Sequence, residues 1–187
     1  MRADTRRKQK SGGPLLDFFD LVTDVIDLRS FSNLWYWIVL AILWSSLSHW
    51  VLGIPYDMVQ RARRARGQAE ADLRALAEIN VRRILGFADL SGTAMVASSA
   101  FVMTALIVLG WGYRVEFAQA LVLLVLPLIL VAGLTIRTAR KVRSEGYDDL
   151  HARLRRHRIA VQAMGIVFIF VTAFWGMYTN VTVSPLH

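Results

Sequence analysis

His49 is the one side chain in the apolar stretches with the chemistry to do more than pack. It ends the run Ser45-Ser46-Leu47-Ser48-His49-Trp50, and an imidazole there can ligate a haem or a chlorophyll or relay a proton. No second histidine lies in the other expected membrane spans, so a bis-histidine haem is out of reach within one chain. A structural histidine, with Ser45, Ser48 and His49 hydrogen-bonding to neighbouring helices, fits these surroundings better. Asp17, Asp20, Asp24 and Asp27 offer oxygens to a hard cation, but a straight exposed helix does not wrap one in the roughly six to eight it takes. The chain has 187 residues and no cysteine. That excludes a disulfide framework, a zinc-thiolate site and a thiol nucleophile. No phosphate-binding loop, zincin histidine pair or serine-hydrolase elbow is present. The expectation is a protein with no enzymatic activity and no cofactor.

Basic residues are the other concentrated chemistry. The formal net charge is +8. Arg61, Arg63, Arg64 and Arg66 form one cluster; Arg140, Lys141, Arg143, Arg155, Arg156 and Arg158 form a second. Both suit anionic lipid headgroups, at about 1 kcal/mol per well-placed cation, or a protein partner. Nucleic acid is not expected as a partner, since no reading module and no aromatic interleaving accompany the arginines.

The elements that position these groups are set by hydropathy. Hydrophobic residues make up 55% of the chain and the mean hydropathy is +0.42. Four stretches, 30–56, 90–113, 117–136 and 159–187, hold no Asp, Glu, Lys or Arg. A bilayer core of about 30 Å takes about 20 apolar residues as helix, and only helix satisfies the backbone there. The expected spans are 34–52, 93–110, 117–136 and 160–178. Trp35, Tyr36, Trp37, Trp50, Trp111, Tyr113 and Tyr178 sit near span ends, where ring dipoles reach the headgroups. Trp44 and Trp175 lie deeper and are expected between helices. Ala94, Ala97, Ser98, Ala100 and Thr104 give the second span a small-residue face suited to helix packing. Pro127 is expected to kink the third. With no ionisable group inside a span, an ion-coupled carrier working as a monomer is disfavoured.

Fifteen of the 22 Lys and Arg residues fall between the first and second spans or between the third and fourth. The positive-inside rule then places both segments, 55–89 and 137–158, in the cytoplasm and both termini outside. Residues 1–14 read as a flexible basic tail. Residues 15–29 read as an amphipathic interfacial helix, with the four aspartates on one side and Leu15, Phe18, Phe19, Val22, Val25 and Ile26 on the other. Those aspartates are a solvated face or a docking stripe for a basic partner. They also interrupt any cleavable leader, so the first span is expected to serve as the insertion signal. Residues 57–85 read as one long helix, with Met58, Ala62, Ala65, Ala69, Leu73 and Leu76 as its apolar stripe, Gly67 as its weak point and Asp57 as a cap. Tyr147, Leu150 and Leu154 share a side in the second cytoplasmic segment, so the two segments are expected to pack as a cap. The whole is an all-α protein: an integral membrane four-helix bundle over 30–187, with an N-terminal amphipathic helix and two basic cytoplasmic helical segments.

The run Phe31-Ser32-Asn33-Leu34-Trp35-Tyr36-Trp37-Ile38, followed by Ser48-His49-Trp50-Val51-Leu52-Gly53-Ile54-Pro55-Tyr56-Asp57-Met58-Val59, resembles a small family of alphaproteobacterial, Rhodobacter-type membrane proteins often labelled "component of SufBCD complex". The resemblance covers the chain from about Leu15 onward. It implies a multi-pass protein of the bacterial inner (plasma) membrane and association with an iron–sulfur cluster assembly scaffold. Cluster iron is held mostly by cysteine, so the resemblance implies a docking partner and not a cluster carrier. The leading expectation is a non-enzymatic accessory or scaffold protein. The alternative is a subunit of an oligomeric transporter or channel whose path is lined by Ser45, Ser48 and His49.

Overall fold

The computed structural model describes residues 34–183. The basic tail 1–14 and the amphipathic segment 15–29, with Asp17, Asp20, Asp24 and Asp27, lie outside the described residues. Five α-helices follow one another: α1 Leu34–His49, α2 Tyr56–Ala65, α3 Gln68–Ile107, α4 Glu116–Ser144 and α5 Leu150–Val183. The described residues are all-α apart from one ribbon of two two-residue strands, Trp50–Val51 and Ile54–Pro55.

Three helical stretches are long and apolar enough to cross a membrane: Gln68–Gly112, Glu116–Ser144 and Leu150–Val181. They contain the expected spans 93–110, 117–136 and 160–178. The first expected span, 34–52, is helical only through His49, for 16 residues or about 24 Å at 1.5 Å per residue. It stops there because Leu52 and Gly53 take left-handed backbone, φ 51° and 72°. Two consecutive positive φ values build the tight two-residue turn of a β-hairpin. Trp50 and Val51 thereby pair antiparallel with Pro55 and Ile54. Leu52 meets its backbone cost by burying its side chain, which is 3% exposed.

Two expectations for residues 57–85 change. The long helix is two helices, because Arg66 and Gly67 adopt φ 51° and 56°. Asp57 does not cap α2: Pro55 holds the cap position with no side-chain hydrogen bond, and Asp57 lies in the first turn, where a carboxylate still favours the helix dipole. Beyond Gly67 no boundary separates the basic segment from the membrane stretch. α3 runs 40 residues, about 60 Å, twice what a bilayer core needs. Its first half therefore stands clear of the apolar stretch and builds the cap.

α3 ends in a wider π turn, Val108–Gly112. α4 runs on through a buried Pro127, which has no N–H for the carbonyl one turn back. α4 packs against both α3 and α5, and α1 against α5. Inside the apolar part, Leu40, Trp44, Val131 and Val161 form one cluster, and Tyr36, Ala120 and Leu123 another joined by Trp175. The outside is an apolar belt: Leu90 is 87% exposed, Phe101 75% and Phe170 72%.

Candidate functional site

The cap is a closed apolar core faced with guanidinium. Val51, Ile54, Val59, Ala62, Leu73, Ala77, Val81, Leu85, Ala139, Val142, Leu150 and Leu154 are buried together. On α3 they fall at Leu73, Ala77, Val81 and Leu85, a spacing of four that keeps one stripe facing α4 and α5. The expected stripe faces this core for the most part: Ala62 and Leu73 are buried in it and the half-buried Met58, Ala69 and Leu76 pack against it. Ala65 alone is exposed, next to the break at Arg66 that turns α2 back across α3. Tyr147 packs on this core beside Leu150 and Leu154 as expected.

Polar fastenings cross between the elements. Asn80 Nδ2 donates to the Gly53 carbonyl at 3.1 Å, tying the hairpin to α3, and Arg74 Nη2 donates to the Gly146 carbonyl at 2.9 Å. His151 Nε2 meets Glu70 Oε2 at 2.7 Å. Arg153 grips the Glu145 carboxylate through both Nε and Nη2. The Arg158 guanidinium lies 3.7 Å from the centre of the Tyr56 ring, a cation–π contact that offsets its partial desolvation. Thr138 gives its hydroxyl proton to the Leu134 carbonyl at 2.8 Å. Its oxygen therefore accepts at 3.1 Å from His157 Nδ1, which fixes the N–H on that nitrogen. Burial pushes the His157 imidazole below its ordinary pKa. Burial first, and then Glu78, push the Tyr147 phenol up against the pull of Arg143, Arg82 and Arg74.

These fastenings sort the basic residues. Arg158 is turned inward on Tyr56, while Arg61, Arg63, Arg64, Arg66, Arg140, Lys141, Arg143, Arg155 and Arg156 are all exposed. Among the described residues the close acid–base contacts are His151–Glu70, an ion pair when His151 is protonated, and Arg153–Glu145, so none of those nine cations is in such a pair there. Leu85, Asp89, Arg140, Arg143 and Ser144 line a cleft of about 400 Å³ between α3 and α4. A second, of about 470 Å³, runs from Gly67 and Arg74 to Tyr147 and Asp148.

Ser45 and His49 are exposed on α1 and Ser48 is half-buried. The His49 ring stands edge-on to Trp50, centroids 5.7 Å apart. Among the described residues, none of the three hydrogen-bonds through its side chain to another helix. The Ala94–Thr104 small-residue face of α3 is likewise exposed, with none of the described helices packed over it.

Gln119 is the polar contact that residue patterns missed. Its Nε2 donates to the Gly110 carbonyl at 2.6 Å, and its Oε1 accepts from Trp175 Nε1 at 3.2 Å. One amide thus ties α3, α4 and α5 at the end remote from the cap. The π turn explains the need. Val108 and Leu109 carbonyls are taken by the amides of Tyr113 and Val115, leaving that of Gly110 for a side chain. The available signal was a lone amide in the charge-free run 117–136.

Among the described residues, no group of three or more His, Cys, Asp or Glu is placed to hold a metal ion. No family model, curated protein or solved structure matches this chain.

Proposed function

We propose that the chain is a multi-pass inner-membrane accessory protein that crosses the bilayer four times, with both termini periplasmic. In this reading its arginine-faced cytoplasmic cap docks a protein partner and anionic headgroups. The observation that carries it is the division of labour within the cap. Most of the cap's apolar side chains are buried in its core or packed against it, and two acids, Glu70 and Glu145, contact His151 and Arg153. What faces outward is predominantly basic: the nine exposed cations, none of them in a close acid–base pair among the described residues, outnumber the exposed Asp57, Asp72, Glu78, Asp89, Asp148 and Asp149. α1 crosses as the fourth span, although at 16 residues it is short for a core of about 30 Å, and thinning of the bilayer around it accommodates the mismatch. The resemblance to the Rhodobacter-type family adds the iron–sulfur assembly scaffold as the partner to test first, with this cysteine-free chain as the dock and not the cluster holder.

The test is isolation from native membranes in mild detergent, comparing wild type with the Arg61→Gln, Arg63→Gln, Arg64→Gln, Arg66→Gln variant. The expected outcome is a stoichiometric companion present with wild type and depleted with the variant. No companion in either preparation removes the basis of the reading. The exposure of Ser45 and His49, one helical turn apart on α1, favours a second reading, in which several copies line a path together. Liposome flux that disappears in His49→Ala supports that reading against the first.

A further inference from the structure

We propose that the cleft between α3 and α4 binds one phospholipid whose headgroup carries both a phosphate and a primary ammonium. The inference rests on the membrane reading above and adds to it a discrete site with a headgroup preference. The cleft sits where charge meets the apolar belt. Asp89 is the last charged residue of α3 before Leu90, and Arg140 follows Arg137 as α4 leaves its charge-free run. Arg140 and Arg143, three apart on α4, share one face. Both line the cleft and both are exposed. Neither is ion-paired, although Asp89 lines the same cleft. Two free guanidiniums on one face form a fork for phosphate oxygens.

The acceptors beside them select the rest of the headgroup. Asp89 offers a carboxylate. Ser144 gives its proton to the Lys141 carbonyl at 2.9 Å, so its oxygen faces any ligand as an acceptor. A phosphate–ammonium zwitterion satisfies both halves at once. A quaternary choline has no N–H for Asp89 or Ser144, and a glycerol headgroup brings no positive charge to offset Asp89. The acyl chains have a place to lie. Directly beyond the cleft, α3 exposes Leu90 at 87% and Val96 at 71%, and no side chain of α3 past Leu85 is buried.

The full-length protein, purified in detergent, is titrated with phosphatidylethanolamine, phosphatidylglycerol and phosphatidylcholine of identical chains, with bound lipid read by native mass spectrometry. The expected result is phosphatidylethanolamine retained about tenfold over phosphatidylcholine, the ratio one charged hydrogen bond supplies. Asp89→Asn is expected to erase that preference, and the Arg140→Gln, Arg143→Gln variant to weaken both lipids alike. Thermal melting without added lipid should not move, because all three side chains are exposed. Wild type that holds the three lipids equally, or Asp89→Asn that keeps the preference, overturns the proposal. So does soluble glycerophosphoethanolamine competing as well as the lipid, which assigns the cleft to a free headgroup. Recovery of the protein in the soluble fraction sinks the membrane reading itself, whereas a membrane-extracted protein without preference sinks only the site.

Discussion

Replacing Gln119 by leucine puts an apolar side chain there, one atom shorter, and removes both of the amide's hydrogen bonds. The Gly110 carbonyl and the Trp175 indole N–H then lose partners held at 2.6 and 3.2 Å at a helix junction where Gly110 is buried and Trp175 half-buried. Interhelical hydrogen bonds in membranes average about 0.6 kcal/mol and reach about 1.7. The pair is therefore worth about 1 to 3 kcal/mol, a large share of the roughly 5–15 that hold a protein folded. The assay is reversible unfolding in detergent mixed with increasing SDS, followed by far-ultraviolet circular dichroism, on wild type, Gln119→Leu, Trp175→Phe and the double variant. Because one amide serves both bonds, the Gln119 and Trp175 effects should be non-additive, with the double variant close to Gln119→Leu alone. Gly110→Ala supplies an independent arm. Its new Cβ would lie 3.0 Å from Gln119 Cγ and 3.2 Å from the Gln119 backbone nitrogen, pushing α3 from α4 without touching the amide. Additive effects, or a Gln119→Leu variant within about 0.3 kcal/mol of wild type, the spread of independent sites, refute the clamp.

Gly165→Ala should destabilise by about 1–3 kcal/mol through overpacking, because its Cβ would stand 2.8 Å from Cε3 of the buried Trp44; a wild-type melting temperature counts against that fit. His157 gives a pH signature. Burial holds its folded pKa below the ordinary value of about 6.5, so the unfolded chain binds more protons and stability falls as pH drops from 6.5 toward the folded value. His157→Gln should remove that acid limb from melting curves taken across pH 5 to 7 (about the histidine range), and an unchanged limb contradicts the assignment. A fluorescent protein fused after His187 should stay dark if the C-terminus is exported, whereas a bright fusion reverses the orientation.

Much of the fold was legible because hydropathy acts over whole helices. The expected spans 93–110, 117–136 and 160–178 each fall within a helical stretch long and apolar enough to cross a bilayer. Breaks were harder to read, since glycine marks where a helix can turn and not whether it does. Gly86 and Gly92 sit inside α3 with nothing within 4 Å of a Cβ there, and the helix continues through both. At Gly67 it turns, for a tertiary reason. In a straight helix Ala62 and Leu73 would stand about 16 Å apart along the axis; folded back at Arg66 and Gly67, both enter one core. The small-residue face Ala94–Thr104 shows the converse. Its residues permit close helix approach, yet permission carries no information about whether a neighbour arrives.

The candidate site divides along the same line. Clusters of arginine were visible in the sequence, but their division into inward and outward groups was not, because it depends on partners far away in the chain. Arg74 finds a carbonyl 72 positions on, and His151 finds Glu70 across 81. Arg158 finds the face of Tyr56. No periodicity within one helix encodes such pairs. They decide the cap's outer charge all the same. Glu70 and Glu145 are occupied by His151 and Arg153, so they are spent inside the cap instead of shielding Arg61–Arg66 or Arg155 and Arg156. The outward field of the cap is thus the balance of its exposed cations against the exposed Asp57, Asp72, Glu78, Asp89, Asp148 and Asp149, and removing one arginine shifts that balance by a full charge, whereas releasing Glu70 or Glu145 only moves a charge already there.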